Sequence, residues 1–299
     1  MSSPRQTGAM PRPGELRLLR STCERGDAEA SLARIAEAHW RSLETGEGVL
    51  KNHHGTAVTR VHADGADLCV KQYRVRGWRD RLKAFLRPSP GLRAWRAAER
   101  VLALGVETAA PVALFELDGE TCLVTRFLAE AEPLDRRLFD LQARDESADR
   151  LAVKRRLVRT VGEWLARIHT LEIDHDDCSA KNLLTVEGQA GESGREGWTL
   201  YLLDLDGARV GRAPGYGRRV KNVAQLLDPP TGLTLTDRVR LLRAYAEVAG
   251  LDTRTLARDV ARAVRRRSVS RVRTYARGTR RTGRQVAEAE RRGRESADP

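Results

Sequence analysis

The sequence predicts an α+β protein of two lobes, a small antiparallel sheet followed by a mainly helical half. Three observations carry this. Between Val49 and Thr125, short runs alternate apolar and polar residues and are separated by turn residues, the pattern of half-buried strands in hairpins. From Val153 to His169 the period changes, with Leu157, Val158, Val161, Trp164, Leu165 and Ile168 recurring at helical spacing. A polar stretch, His175 to Asn182, then precedes two short apolar runs that end at Asp204. At 299 residues the chain is long enough to bury a substantial core in each lobe.

Composition narrows the partners. A formal charge of +13 and a pI near 10.3 call for something anionic: nucleic acid, an anionic membrane face, or a phosphorylated substrate. Aromatics make up 5%, without the Arg/aromatic interleaving of nucleic-acid binders, so no specific nucleic acid is expected. Cys23, Cys69, Cys122 and Cys178 are scattered with no C-x-x-C pair, which fits a reducing compartment and offers no zinc site. No apolar run reaches the roughly 18 residues of a membrane span, and the N-terminus lacks the apolar core of a signal peptide. The expected location is cytoplasmic, with peripheral contact at the inner membrane face.

Taken in order, residues 1–14 read as a disordered start rich in Ser, Pro and Gly. Residues 15–48 read as an N-terminal helical extension, because the leucines, Ile35, Trp40 and alanines sit at helical intervals. Val49-Leu50 and Ala57 to Val61 form a hairpin about Asn52-His53-His54-Gly55, with both histidines as turn residues. Ala66 to Tyr73 is a further strand carrying Lys71. Arg74 to Arg100 is dense in Arg, with Trp78, Leu82, Phe85, Leu86 and Trp95 at roughly helical spacing. Its basic face is either plainly solvated or laid on anionic lipid. A helix runs from about Gly91 to Leu104. Leu114 to Asp118 and Thr121 to Thr125 make a second hairpin, leading into Arg126-Phe127-Leu128.

The lobe boundary is placed there, giving 49–126 for the first lobe and 127–253 for the second. Glu130 to Arg150 is a charged loop with a short helix, and Val153 to His169 a buried helix. Leu183 to Val186 and Trp198 to Asp204 are strands joined by an exposed tip, Gln189 to Gly197. Thr236 to Ala249 is a helix with Asp237 in its first turn, where an acid suits the helix dipole. Residues 254–299 form an Arg-rich helix or tail.

The chemistry lies in the polar stretch. His175-Asp176-Asp177-Cys178-Ser179-Ala180-Lys181-Asn182 has the form H-x-D-x-x-x-x-N, and Leu202-Leu203-Asp204-Leu205-Asp206-Gly207 ends an apolar run in an acid. That is the layout of a kinase catalytic loop and its metal strand. Moving the γ-phosphoryl of ATP requires aligning a hydroxyl, holding metal, and neutralising charge on the phosphate oxygens. Asp177 is the candidate base. Asn182 and Asp204 are the candidate Mg2+ ligands, sufficient because magnesium keeps several waters and takes phosphate oxygens besides. Lys71, after Val70, stands where a kinase strand carries its nucleotide lysine, and Gly55 sits in the turn expected over the phosphates. His175 supports the loop, and Asp206 either assists the metal site or is simply solvated.

These segments, "LARIHTLEIDHDDCSAKNLL" and "LYLLDLDGARV", resemble the lipopolysaccharide kinase family, whose members phosphorylate Kdo or heptose sugars of the inner core. The match runs in order from about Val49 to Leu227, including "RRVKNVAQLL". It implies a protein-kinase-like fold, ATP and Mg2+ as cofactors, a sugar or glycolipid acceptor, and a linker Arg126-Phe127-Leu128 whose backbone reads adenine. Family members usually carry Glu directly before the Trp of the helix after Lys71; this chain has Ala94 before Trp95. Glu99 is the acid left on that helix, about 140° away around the axis, and pairs with Lys71 only if the helix is rotated. Ser179, and the lack of A-P-E after Asp204, point away from a protein kinase. A phosphotransferase for a cationic aminoglycoside or choline-like acceptor shares the same cleft residues, and a nucleotide-binding pseudokinase scaffold is the non-enzymatic alternative.

Overall fold

Strands β1 (Arg17–Ser21), β2 (Val49–His53), β3 (Thr56–Ala63), β4 (Ala66–Tyr73), β5 (Pro111–Leu117) and β6 (Glu120–Arg126) form one antiparallel sheet in the order β1-β5-β6-β4-β3-β2. They belong to a computed structural model that describes residues 16–22, 25–53, 55–75, 88–117, 119–143, 148–188, 197–228 and 231–270. Period-2 alternation sorts the sheet into two faces. Val61, Leu68, Val70, Phe115 and Val124 pack against Leu32, Ile35 and Ala36 of α1 (Arg25–Thr45). On the other face Val58, Lys71 and Leu123 lie side by side across β3, β4 and β6. Helix α2 (Pro90–Ala103) covers part of that face, burying Ala94 and Trp95 against Tyr73, Leu114 and Leu123. Ser89 caps α2 by accepting from the Leu92 N–H. At Gly91 a methyl group would stand 2.9 Å from both Leu114 and Thr121, so only glycine lets the helix lie this close to the sheet.

One expectation is corrected. The stretch 15–48 is not helical throughout: residues 17–21 are strand β1, paired with the open edge of β5. Leu18 packs into the α1 core and its neighbour Leu19 into the α2 core. A strand can bury consecutive leucines on opposite faces in this way; a helix sets them only about 100° apart.

The second half packs α3 (Leu134–Ala143), α4 (Ala148–Thr170), α5 (Tyr216–Leu226) and α6 (Leu235–Ala249) around one core that includes Leu157, Val161, Leu165, Ile168, Leu241 and Tyr245. A methyl at Gly162 would lie 2.6 Å from the Leu241 carbonyl oxygen, so this glycine sets the α4–α6 crossing. A further helix, α7, spans 253–270, and Leu256 and Val260 are buried in the same core. The first part of the Arg-rich C-terminal segment is thus packed, with Arg267 reaching Asp228 at 3.1 Å. Residues 271–299, the predicted disordered start 1–14, residues 76–87 of the basic stretch and the tip 189–196 lie outside the described residues.

Among the described residues, His39 and His169 have no exposed surface, one at each core. His39 meets the Thr59 hydroxyl at 2.7 Å. The Asn222 amide donates to His169 Nε2 at 3.3 Å, so Nδ1 carries the proton and donates to the Tyr245 oxygen at 2.7 Å. Burial lowers both from 6.5 to about 4. With the folded value below the unfolded one, the stability they contribute is complete above pH 6.5 and is lost as the pH falls through 4. Each shift corresponds to roughly 3 kcal/mol. The urea midpoint is therefore expected to fall steeply from pH 7 to pH 4, and His39→Gln to flatten that slope; a pH-independent midpoint would remove this account.

Candidate functional site

The loop between α4 and the second small sheet lies opposite the Lys71 face of the large one. Strand β8 (Ile173–Asp174) leads into His175 to Ser179, a 3-10 turn Ala180–Asn182, and β9 (Leu183–Glu187), which pairs with the short strand β7 (Glu132–Pro133). Strand β10 (Trp198–Leu202) returns antiparallel to β9 with Leu202 opposite Leu183, and the Leu203 N–H donates to the Asn182 carbonyl at 2.9 Å. That hairpin brings Asp204 back to the loop across the polar insert. The Asn182 side-chain amide donates to the Asp177 carbonyl at 2.9 Å and to its carboxylate at 3.2 Å. Asp177 and Asn182 are therefore locked together, with the Asn182 amide oxygen left to accept or to ligate.

Asp204 has φ +63, ψ +53, a left-handed conformation at a non-glycine residue. His175 accounts for it. Its Nε2 lies 2.9 Å from the Leu203 carbonyl and 3.1 Å from that of Asp204, and two acceptors require the Nε2–H tautomer. A 3-10 turn, Leu205–Gly207, and β11 (Arg209–Val210), paired with β8, complete the segment.

Across the cleft, the Lys71 ammonium makes a direct ion pair with Asp204 and stands 3.8 Å from Asp206. It also lies 4.7 Å from the Tyr73 ring centroid. Burial opposes the lysine's charge, but Tyr73, Asp204 and Asp206 outweigh it and hold Lys71 above the ordinary lysine value. Burial likewise works against the Asp204 charge; Lys71 chiefly, then His175 and Lys51, bring its carboxyl below the usual range. Asp206 is shifted upward, by burial first and by Asp204, against the pull of Lys71. Asp177 is thus joined through Asn182 and the Leu203–Asn182 backbone bond to the segment whose Asp204 pairs with Lys71.

Glu99 does not join them. It is exposed on α2, because Ala94 and Trp95 take the face that meets the sheet, and Lys71 pairs with acids of the other lobe instead. Gly55 sits at the β2–β3 turn, where its carbonyl accepts from the Arg74 N–H at 3.0 Å. The Arg74 guanidinium also holds Asn52 at 2.9 Å, so the turn is pinned to the end of β4. In the linker, the N–H groups of Arg126 and Phe127 are already committed to the carbonyls of Ala110 (2.9 Å) and Asp67 (3.0 Å). Leu128 remains as the candidate donor to adenine.

Residues that sequence reasoning passed over hold the loop. Arg218, Lys221, Asn222 and Gln225 recur at i, i+3, i+4, i+7 along α5, one helix face. Arg218 forks onto the buried Asp174 carboxylate at 2.8 and 2.9 Å and reaches Asp176 at 3.1 Å. Gln225 donates to the Asp176 carbonyl at 2.8 Å and accepts from the Cys178 N–H at 3.2 Å. Lys221 reaches the Asp176 carboxylate at 3.3 Å. Lys51 was also missed: it lies opposite Val58, which lies opposite Lys71, so it shares the cleft face. A lysine just before the glycine turn was the only available signal.

Among the described residues, no group of three or more His, Cys, Asp or Glu side chains gathers around a point. What the site offers is the Asn182 amide oxygen and the Asp204 carboxylate, hard-oxygen donors of which Asp204 already stabilises one cationic group, Lys71. That fits magnesium completed by water and phosphate oxygens.

The profile of the family described as "Lipopolysaccharide kinase (Kdo/WaaP) family" matches residues 42–245. No curated protein matches the chain. Among solved structures, WaaP in complex with acyl carrier protein aligns at 23% identity over 84% of this chain and 99% of that one, TM-score 0.57, which shows a shared protein-kinase-like fold. The pseudokinase domain of BIR2, an immune regulator of the RLK/Pelle family, aligns at 15% identity over 84% of this chain and 82% of that one, TM-score 0.41.

Proposed function

The chain belongs to the lipopolysaccharide kinase (Kdo/WaaP) family and is a kinase, and on that premise we propose that it transfers the γ-phosphoryl group of Mg-ATP to a sugar hydroxyl of a lipopolysaccharide core or similar glycolipid. One observation supports the reading: Asn182 holds the Asp177 carboxylate, its backbone carbonyl accepts from the Leu203 N–H, and the next residue, Asp204, pairs with Lys71 of the sheet. Asp177 accepts the proton of the acceptor hydroxyl as its oxygen bonds to the γ-phosphorus; the bond to the β-phosphate oxygen breaks and ADP leaves with the electron pair. Lys71, with Lys51 two strands away on the same face, neutralises phosphate charge, and Asn182 with Asp204 would hold a magnesium ion, which would supply further neutralisation of the phosphates. Asn182 keeps Asp177 aimed, and α5 keeps the loop in place.

The acceptor side of the cleft weighs against a cationic acceptor. Lys181 lies 3.8 Å from the Asp177 carboxylate, and Lys221, Arg218 and the largely exposed Arg209 line the neighbouring loop. These four cations outnumber by one the three carboxylates they pair with, Asp174, Asp176 and Asp177, a balance that favours acidic or phosphorylated sugars over aminoglycosides or choline. A cytoplasmic protein working at an anionic membrane face is part of the same proposal, supported by the charge of +13. Stabilisation by ATP with magnesium in a thermal-shift titration is expected. Label from γ-labelled ATP should then appear in isolated lipopolysaccharide core and not in kanamycin or choline. Transfer to the cationic acceptors alone, or no response to nucleotide, would overturn the proposal.

A further inference from the structure

Helix α2 brings no carboxylate to Lys71. Glu99, its one acid, is exposed, and the buried position next to Tyr73 is Ala94. The Lys71 side chain is nonetheless four-fifths buried, and a buried ammonium needs a lasting partner. Asp204 is that partner in this structure, yet it is also the acid proposed for magnesium, and it cannot fully serve both. Asp206 is the second carboxylate within reach, at 3.8 Å, on the 3-10 turn Leu205–Gly207. That turn packs directly against α2. Arg93, the residue before Ala94, donates through Nε to the Asp206 carbonyl at 3.0 Å and through Nη1 to the Pro88 carbonyl at 3.2 Å, tying the start of the helix to the turn. The turn is held on its other side too, since a methyl at Gly207 would stand 3.1 Å from the Asp176 Cβ.

We infer that Asp206 is a positioning residue that holds Lys71 in the cleft once Asp204 engages metal, doing from the second lobe what an acid on α2 would do from the first, with Arg93 linking α2 to it. The role in turnover rests on the kinase reading; the pairing itself does not. Asp206→Asn is expected to lower ATP turnover about tenfold, as a misaimed group does. The half-saturating Mg2+ concentration should rise with it, because Lys71 then competes with the metal for Asp204, and adding Ala94→Glu should restore both the rate and the Mg2+ requirement. A raised Mg2+ requirement with no rescue by Ala94→Glu would make Asp206 a metal ligand and overturn the inference, as would full turnover in Asp206→Asn.

A metal-free measurement separates the two claims. In an Asp204→Asn background, acylation of Lys71 by a small amine-reactive ester, followed by mass spectrometry without nucleotide, should quicken when Asp206→Asn is added and slow again with Ala94→Glu. If Ala94→Glu impairs folding, the first two proteins decide: equal acylation rates overturn the pairing. A wild-type protein that turns over no ATP but shows the expected acylation order would remove the kinase reading and its positioning role while leaving the Lys71–Asp206 contact established.

Discussion

Asp177→Ala is expected to lower phosphoryl transfer by at least ~10²-fold, the lower end of what a positioned acid–base group contributes, while leaving the fold intact. The side chain is 47% exposed, so its removal opens no cavity in the core. The loop keeps its other attachments, since Asn182 still donates to the residue-177 carbonyl, Gln225 still holds the Asp176 carbonyl, and His175 still bridges Leu203 and Asp204. Nucleotide affinity should change little, because in the proposed reaction Asp177 serves the acceptor hydroxyl and Lys71 the phosphates. Steady-state transfer rates beside a urea unfolding curve test both halves. A variant that unfolds at the wild-type midpoint and turns over normally would dismiss Asp177 as the base.

Lys154→Met should cost the largest stability of any single change argued here, on the order of 3 kcal/mol. The Lys154 and Asp237 side chains are each 4% exposed and meet at 3.0 Å, joining α4 to the first turn of α6. Asp237 also closes the capping box with Thr234, so its carboxylate is part of the helix start. Burial by itself would raise the Asp237 pKa; hydrogen bonds from Lys154 and Thr234 reverse this and hold it below the usual carboxylate range. Methionine fills the lysine's volume but leaves that charge buried, with Arg240 at 3.0 Å as its remaining cation. Stability contributed by a depressed carboxylate is present above its unfolded pKa and lost as the pH falls through the folded one. Without Lys154 this carboxylate is no longer held low, so the stability gap between variant and wild type should narrow as the pH falls. An unchanged urea midpoint at neutral pH would show that the pair contributes nothing over an apolar contact.

Much of the architecture was readable from local period. A strand or helix with one buried face writes that period into consecutive residues, which is why β3, β4, α4 and α6 lie where alternation and helical spacing put them. Strand β1 was not readable in this way: five residues with adjacent leucines suit either structure, and only the open edge of β5 decides. The catalytic loop was legible because Asp177 and Asn182 share one short segment whose spacing is itself the geometry. Its support was not, since the polar face of α5 carries no mark saying whether it meets water or the loop.

The partner of Lys71 shows the boundary most clearly. Sequence alone determined that a lysine follows a buried valine on a strand, that the helix after it carries Ala94 where an acid was expected, and that acids lie at 204 and 206. It offered Glu99 as the partner, the one acid on that helix. Tertiary structure chose Asp204 and Asp206 instead, the first of them 133 residues away. Spacing along a chain governs which side chains share a face, whereas which buried charges neutralise each other is decided by how the two lobes pack together.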